Sequence, residues 1–272
     1  MEGYDISSYE EGLKLDKTMD FIILRAGFTG WGGDGTGKHK DTSFENFYSQ
    51  CKSLNIPVGC YWFSCANTYE KGKEEAKFLY ENCLKGKQFE FPIYIDVEDE
   101  HHQKGNKRCV TDAIKGFCEY LESLKYYVGV YGSDISTFQE KVYIDELKDY
   151  DKWVARYGKA PQYVKDYQIW QYSESGKYKG YTVDLNKCYR DYKTIITNGG
   201  FNGFSKQKEI CYKKGDSNDT IIEVDYYLAN KVYGNYFGDY TEATLNVFKK
   251  QNGLEPNGII DNTTLDLMGI KY

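Results

Sequence analysis

The sequence is short of the residues that metal sites and several catalytic classes need. It has only three histidines, His39, His101 and His102, with no H-E-x-x-H and no C-x-x-C pair. The spacings that hold zinc are therefore missing, and no metal or cofactor is expected. The eight cysteines are scattered widely, which reads as buried reduced thiols in a protein made in the cytoplasm rather than a disulfide framework. No apolar run approaches the ~18 residues of a membrane-spanning helix, so no membrane insertion is expected. Met1-Glu2-Gly3-Tyr4-Asp5 opens the chain without a basic region and an apolar stretch, so no signal peptide is expected. Positive charge is in deficit. Lys and Arg number 35 against 41 Asp and Glu, a net −6, which argues against binding a phosphate backbone.

What the chain does contain is aromatic and apolar. Hydrophobic residues make up 40% of 272, enough for a sizeable core, so wholesale disorder is excluded. The length suits one large domain, or a large one with a small one. Tyrosine is abundant, at 28 residues. Its flat apolar face and hydrogen-bonding tip suit carbohydrate grooves as well as cores.

Eight short runs read as strands, near 3–7, 21–26, 57–63, 92–98, 126–131, 153–156, 167–172 and 182–185. Several are continuously apolar, as in parallel strands buried on both faces. The gaps between the first six can hold helices, at 43–54, 69–84, 111–124 and 139–148, with Thr111 as a cap. The last two gaps are too short for an α crossover. The expected α/β fold is an incomplete β/α barrel of five β-α units plus three strands, over 1–197. The Gly- and Asn-rich stretch 198–210 reads as a linker. Beyond it, 211–272 reads as a small three-helix domain: one helix through Ile221, Val224, Leu228 and Val232, one opened by the capping-box-like Asp239-Tyr240-Thr241-Glu242, and one starting at Asp261.

The candidate chemistry lies in Ile93-Tyr94-Ile95-Asp96-Val97-Glu98. Side chains two apart in a strand share a face, so Asp96 and Glu98 project together from a strand's C-terminal end. In barrels of this type that end carries the active site. Neighbouring acids repel, so one keeps its proton to higher pH. A protonated acid beside an ionised one is what glycoside cleavage uses. An acidic turn leaving a strand would account for these two alone. Asp5 and Asp184 change that, because they end the first and last strands, which are neighbours in a closed barrel. Four acids at one mouth are costly unless functional. Arg25, ending the second strand, is placed to hold one of them. Tyr61, Phe63, Tyr94, Tyr131, Trp153, Trp170, Gln171 and Tyr172 occupy the same strand ends and suit a sugar-binding groove.

The stretches Tyr4-Asp5-Ile6-Ser7, Ile23-Leu24-Arg25-Ala26-Gly27, Gly59-Cys60-Tyr61-Trp62-Phe63, Tyr94-Ile95-Asp96-Val97-Glu98, Trp153-Val154-Ala155-Arg156-Tyr157, Ile169-Trp170-Gln171-Tyr172 and Val183-Asp184-Leu185-Asn186 resemble glycoside hydrolase family 25, the Chalaropsis-type lysozymes. The resemblance implies a flattened form of the barrel. It implies hydrolysis of the β-1,4 bond between N-acetylmuramic acid and N-acetylglucosamine in peptidoglycan. It makes Glu98 the general acid and Asp96 the partner that holds the substrate's N-acetyl group or stabilises positive charge, with Asp5 and Asp184 flanking. Trp62 stands where many members have His, and should matter little because it points away from Tyr61 and Phe63. Ser133 of Tyr131-Gly132-Ser133 is a second departure, since Thr or Ser often directly follows the Tyr. The tail, with Phe248 to Asn252-Gly253-Leu254 and Asn257-Gly258-Ile259-Ile260-Asp261, resembles the type 1 peptidoglycan-binding domain. The combination resembles a bacteriophage endolysin, made in the host cytoplasm and released through a holin; a bacterial autolysin exported otherwise is the alternative. Two other functions compete: a non-catalytic wall-binding protein, and a wall peptidase using Cys109 or Cys51 with His101 or His102 as base.

Overall fold

The computed structural model describes residues 1–30, 37–98, 106–206, 209–228 and 234–272. The chain divides into two compact units, Met1–Lys206 and Gln207–Tyr272. Among the described residues, no helix is long and apolar enough to cross a membrane, and no disulfide joins the cysteines.

Among the described residues, nine strands build the first unit: β1 (Glu2–Ile6), β2 (Phe21–Thr29), β3 (Lys38–Lys40), β4 (Val58–Phe63), β5 (Ile93–Asp96), β6 (Val128–Ser133), β7 (Asp151–Ala155), β8 (Ile169–Tyr178) and β9 (Tyr181–Cys188). Their order is β1-β9-β8-β7-β6-β5-β4-β2, and β1 pairs back onto β2, closing a ring of eight. Only β9 runs against both its ring neighbours. The short β3 lies antiparallel on the far end of β2 and was not among the expected strands.

Strand alternation sorts the side chains. Ile22, Leu24, Val58, Cys60, Trp62, Ile93, Ile95, Val128 and Val130 join one core outside the ring, under the helices. Phe21, Ile23, Tyr94, Tyr131, Trp153 and Ala155 form a second core inside it. Both faces of these strands are buried, which is why their sequences read as continuous apolar runs. Each fully buried large side chain contributes roughly 1.5–3 kcal/mol. Trp62 is fully buried, facing away from Tyr61 and Phe63 as expected.

Helices α1 (Phe44–Leu54), α2 (Tyr69–Leu79) and α3 (Lys107–Ser123) lie in the crossovers after β2, β4 and β5. A π-helical turn extends α2 to Leu84. Gly72 and Gly116 let α2 and α3 meet backbone to backbone: an added Cβ would stand 1.9 Å from the Ala113 oxygen and 2.0 Å from the Tyr69 oxygen, respectively. Two expectations fail here. Asn106, not Thr111, caps α3 by accepting from the Cys109 N–H. Thr111 lies one turn in, donating to the Lys107 carbonyl and accepting from the Tyr143 N–H. The expected helix at 139–148 is a run of turns with a 3₁₀ turn at Ile144–Leu147. Its neighbourhood is instead drawn onto the end of β5, where the Thr137 hydroxyl donates to the Val97 carbonyl and Lys141 Nζ to the Glu98 carbonyl. Tertiary contacts override local helix propensity there. With 3₁₀ turns after β1 and β6, the five expected β-α units reduce to three α-helical crossovers among the described residues.

The Gly-Asn stretch is not a free linker. Helix α4 (Tyr192–Gly199) ends on Gly200 in a left-handed conformation, φ 70°. Asn202 is fully buried. Its amide donates to the carbonyls of Phe89 and Phe91 and accepts from the Tyr127 N–H. This segment therefore closes the bottom of the first unit.

The second unit contains α5 (Asp219–Tyr227), α6 (Asp239–Gln251) and α7 (Asn262–Met268) around a core of Ile221, Val224, Phe237, Leu245, Ile260 and Leu265. A short antiparallel pair, β10 (Cys211–Lys213) and β11 (Ile259–Asp261), was not anticipated. Asp261 caps α7 through the Thr264 N–H, as expected. The capping box at Asp239 does not form: Gly238 is the cap residue and lends no side chain. Val232 lies outside the described residues.

Candidate active site

The strand register assembles the mouth of the ring. Asp5 and Asp184 stand directly opposite each other on β1 and β9. Around the other side, Phe63, Asp96, Tyr131 and Trp153 are successive partners across β4, β5, β6 and β7. These ends open into a cleft of about 430 Å³. Asp5, Asp96, Glu98 and Asp184 line it together with Arg25, Tyr61, Phe63, Tyr131 and Trp153. Glu98 lies two residues beyond Asp96, past the strand end, and its backbone is held by the bonds from Thr137 and Lys141 described above. It also borders a second hollow of about 260 Å³, shared with Ser133, Asp134, Ile135, Ala155, Arg156 and Tyr157. Glu98 thus stands between two cavities.

Asp5, Asp96, Glu98 and Asp184 each bind a proton more tightly than usual. Burial and then repulsion from Asp5 push Asp184 up to about 8. Burial raises Asp5 to about 6, while the Asn186 and Gln171 amides hold it down. Asn186 Nδ2 donates to Asp5 Oδ2 at 2.6 Å and Gln171 Nε2 at 2.9 Å. Asp96 is raised well above the usual carboxylate range, by burial and then by Glu98 and Asp5. Its Oδ1 is buried with no hydrogen-bond partner among the described residues. Glu98 touches solvent at the rim, yet the cleft wall removes enough water to raise it; Lys141 opposes this, and Asp184 and Glu174 add to it. Resemblance made Glu98 the protonated acid. The structure raises Asp96 as well as Glu98, because Asp96 lies deeper, away from water.

The other expected residues divide. Tyr61, Phe63 and Tyr131 line the cleft, and Trp153 forms its buried floor, with Tyr131 at 4.2 Å between ring centres. Tyr94 does not reach it: two residues before Asp96, it points into the fully buried lower core, against Trp153 and Tyr192. Gln171 is buried behind the cleft and bonds to the acids rather than facing a ligand. Trp170 and Tyr172, one position either side of Gln171, face away and pack on each other. Arg25 lines the cleft and pairs with buried Asp41 at 2.7 Å, while its charge also favours ionised Asp96. It also donates to Ser8 Oγ and lies over the ring of Tyr9.

Several lining residues were not anticipated: Ser7, Tyr9, Glu10, Phe28, Glu174 and Thr182. Ser7 and Glu10 form a capping box around Ser8–Glu10, a pattern readable as Ser-x-x-Glu. Asn186 was also legible, since it shares a strand face with Asp184. Glu174 was not: it follows a register shift between Gln171 and Ser173 that breaks simple alternation.

The thiol alternative finds little support. Cys51 is fully buried and burial pushes its thiol up to about 12, far from a reactive thiolate. Cys109 sits in the first turn of α3, half-buried. His101 and His102 lie outside the described residues. No group of three or more His, Cys, Asp or Glu among the described residues is arranged to hold a metal.

Comparison with known proteins agrees with this geometry. The "Autolytic lysozyme" of Clostridium acetobutylicum is 27% identical over 143 residues, covering 52% of this chain. The matched part is 42% of that relative, so the chain spans less than half of it. Among solved structures, the CTP1L endolysin superposes with a TM-score of 0.62 at 22% identity, over 86% of this chain and 84% of that one. The spore cortex lytic enzyme SleM of Clostridium perfringens gives 0.58 at 24%, over 69% and 67%. A family 25 glycosyl hydrolase of Bacillus anthracis gives 0.57 at 23%, over 72% and 91%. These likenesses establish the shared fold. The model of a putative peptidoglycan binding domain matches residues 218–268. The model of the glycosyl hydrolases matches residues 5–181, about two thirds of the sequence, and the chain belongs to glycosyl hydrolases family 25.

Proposed function

We propose that the first unit is an N-acetylmuramidase that hydrolyses the β-1,4 bond between N-acetylmuramic acid and N-acetylglucosamine in peptidoglycan. The observation that carries this reading is the convergence of four proton-retaining carboxyls, Asp5, Asp96, Glu98 and Asp184, on one aromatic-floored cleft. In this reading the substrate's N-acetyl N–H donates to the orphaned Asp96 Oδ1. That bond favours ionised Asp96, and the new charge holds the proton on Glu98 by repulsion. Glu98 then protonates the bridging oxygen as the C1–O bond breaks. The acids on the cleft side stabilise positive charge at C1, and water adds there with loss of its proton to a carboxylate.

The second unit, in the same reading, holds the enzyme on the wall. The finer role is that of a bacteriophage endolysin acting at the host wall after holin-type release. The endolysin neighbour supports it, and the autolytic relative supports a bacterial autolysin as the other origin. The test is release of new reducing sugar from purified peptidoglycan by the wild type and by Glu98→Gln. Release by the wild type alone supports the reading. Binding without release by either supports the non-catalytic wall-binding alternative.

A further inference from the structure

We propose that Lys141 is a positioning residue of the reaction, which fixes the backbone of Glu98 and holds a positive charge beside its carboxyl. The inference rests on the glycosidase reading above.

Glu98 lies beyond the last residue of β5, where the sheet ladder no longer positions it. The segment after β6 takes over that task. A Cβ added at Gly132 would stand 2.5 Å from Thr137 Cγ2, so the bare glycine lets Thr137 pack directly on the strand end. The Thr137 hydroxyl accepts from the Ser133 N–H at 3.1 Å and donates to the Val97 carbonyl at 2.9 Å. One turn later the Lys141 N–H donates to the Thr137 carbonyl at 3.0 Å. Lys141 Nζ then donates to the Glu98 carbonyl at 3.2 Å. The carbonyls of Val97 and Glu98 are thus held in succession by one segment. Lys141 is only 9% exposed. Burying an ammonium costs far more than burying a neutral donor, and a neutral donor would satisfy a carbonyl equally well. The choice of lysine indicates that its charge is used.

A cation bonded to the carbonyl of a glutamate stays close to the carboxyl of the same residue. Among the described residues, the titratable and charged groups facing that carboxyl are Asp5 on β1, Asp96 on β5, Tyr131 on β6, Lys141, Tyr157 after β7, Glu174 on β8 and Asp184 on β9. The acids of this set discourage ionisation of Glu98. Burial acts the same way and is the strongest influence. Lys141 comes next and opposes it, ahead of Asp184 and of the Tyr131 hydroxyl, which works in the same sense as Lys141. Lys141 also favours ionised Asp96, as Arg25 does. The chemistry needs this counterweight. An acid that holds its proton too firmly cannot deliver it as the C1–O bond breaks, and transfer is most efficient from a group that titrates near the working pH. Lys141 lines neither of the two cavities beside Glu98. It acts through Glu98, so kcat and its pH dependence should move more than KM.

The experiment uses the full chain and a soluble peptidoglycan glycan, with kcat and KM measured against pH. Lys141→Met removes the charge and the donor. Its alkaline limb should move up by roughly one pH unit, since loss of a nearby opposite charge raises a carboxyl. Lys141 favours the ionised forms of both Glu98 and Asp96, so the direction is the same whichever of these coupled acids the limb reports. Lys141→Arg keeps the charge and should hold the limb near that of the wild type. Thr137→Val cuts the neighbouring tie to Val97 while leaving the charge, so its limb should stay in place even where kcat falls. An upward limb in Lys141→Met, restored in Lys141→Arg and absent in Thr137→Val, supports the proposal. An unmoved or lowered limb in Lys141→Met, or an equal rise in Lys141→Arg or Thr137→Val, overturns it and leaves Lys141 a structural brace. Should Lys141→Met fail to fold, Lys141→Gln, which has a neutral donor and no charge, is judged by the same limb. Failure of the underlying reading looks different: the wild type itself would release no reducing sugar.

Discussion

Asp184→Asn should make the protein more stable at alkaline pH while making it a poorer enzyme. Asp184 faces Asp5 across the β1–β9 ladder and holds its proton up to about 8. In the unfolded chain the same carboxyl ionises near 3.8. A group whose folded pKa is raised contributes stability that is complete below the unfolded value and is lost as pH rises through the folded one. At ~1.36 kcal/mol per pH unit, an isolated site would lose on the order of 5 kcal/mol between pH 4 and 8. Asp184 is partly exposed and shares its proton with Asp5, so ~1–3 kcal/mol is the fair expectation. An asparagine keeps an acceptor for Gln171 and offers Asp5 a permanent donor. At ~2–4 °C per kcal/mol for a unit of this size, the Tm difference between variant and wild type should grow in the variant's favour by roughly 3–10 °C from pH 4 to pH 9. Thermal melts across that range, followed by circular dichroism, provide the assay. A difference that stays constant, or turns against the variant as pH rises, refutes the claim that the cleft acids are held under electrostatic strain.

Glu98→Gln should lower kcat by roughly 10²–10⁴-fold with an unchanged Tm, because general acid catalysis contributes about that much; a variant retaining a tenth of wild-type turnover removes Glu98 from the role. Glu75, buried in α2, accepts from Ser64 Oγ at 2.6 Å and from the Cys65 N–H, and burial pushes it up to about 7. Glu75→Gln should therefore flatten the loss of stability between pH 5 and 8 by on the order of 2–3 kcal/mol, and denaturant midpoints that fall as steeply as in the wild type contradict this. A chain ending at Lys206 should cleave soluble glycan at close to the full rate but lose most lysis of intact walls, since linked binding sites raise avidity by ~10²–10⁴-fold. Undiminished wall lysis would assign the second unit no binding role. Ending the chain at Gly199 is a poorer test, because it removes Asn202 and its three buried hydrogen bonds.

The barrel was legible because its strands are short apolar runs with inward acids at their ends. Asp5, Asp96 and Asp184 fall where period-2 alternation puts them, and closure of the ring makes Asp5 and Asp184 neighbours. Glu98 follows from the same i, i+2 rule, although the strand itself ends at Asp96. Alternation alone could not tell depth within the ring. Tyr94 and Asp96 share a face, yet Tyr94 is core and Asp96 is cleft. It could not separate a residue that meets a ligand from one that braces the acids, which is why Gln171 reads as a binding residue until its partners are known. The 139–148 segment has helical spacing, but its fate was decided by Thr137 and Lys141 reaching the end of β5, contacts that no local pattern records. Asn202 lies in a stretch whose composition suggests a linker, and only its bonds to the Phe89 and Phe91 carbonyls and the Tyr127 N–H explain its burial.

The central claim is that this cleft cuts the glycan on the reducing side of N-acetylmuramic acid. The most direct measurement is mass spectrometry of purified peptidoglycan after digestion and borohydride reduction. The account predicts new ends bearing muramitol, produced by the wild type and lost in Glu98→Gln. New ends bearing glucosaminitol, or new free amines in place of new reducing ends, would contradict it.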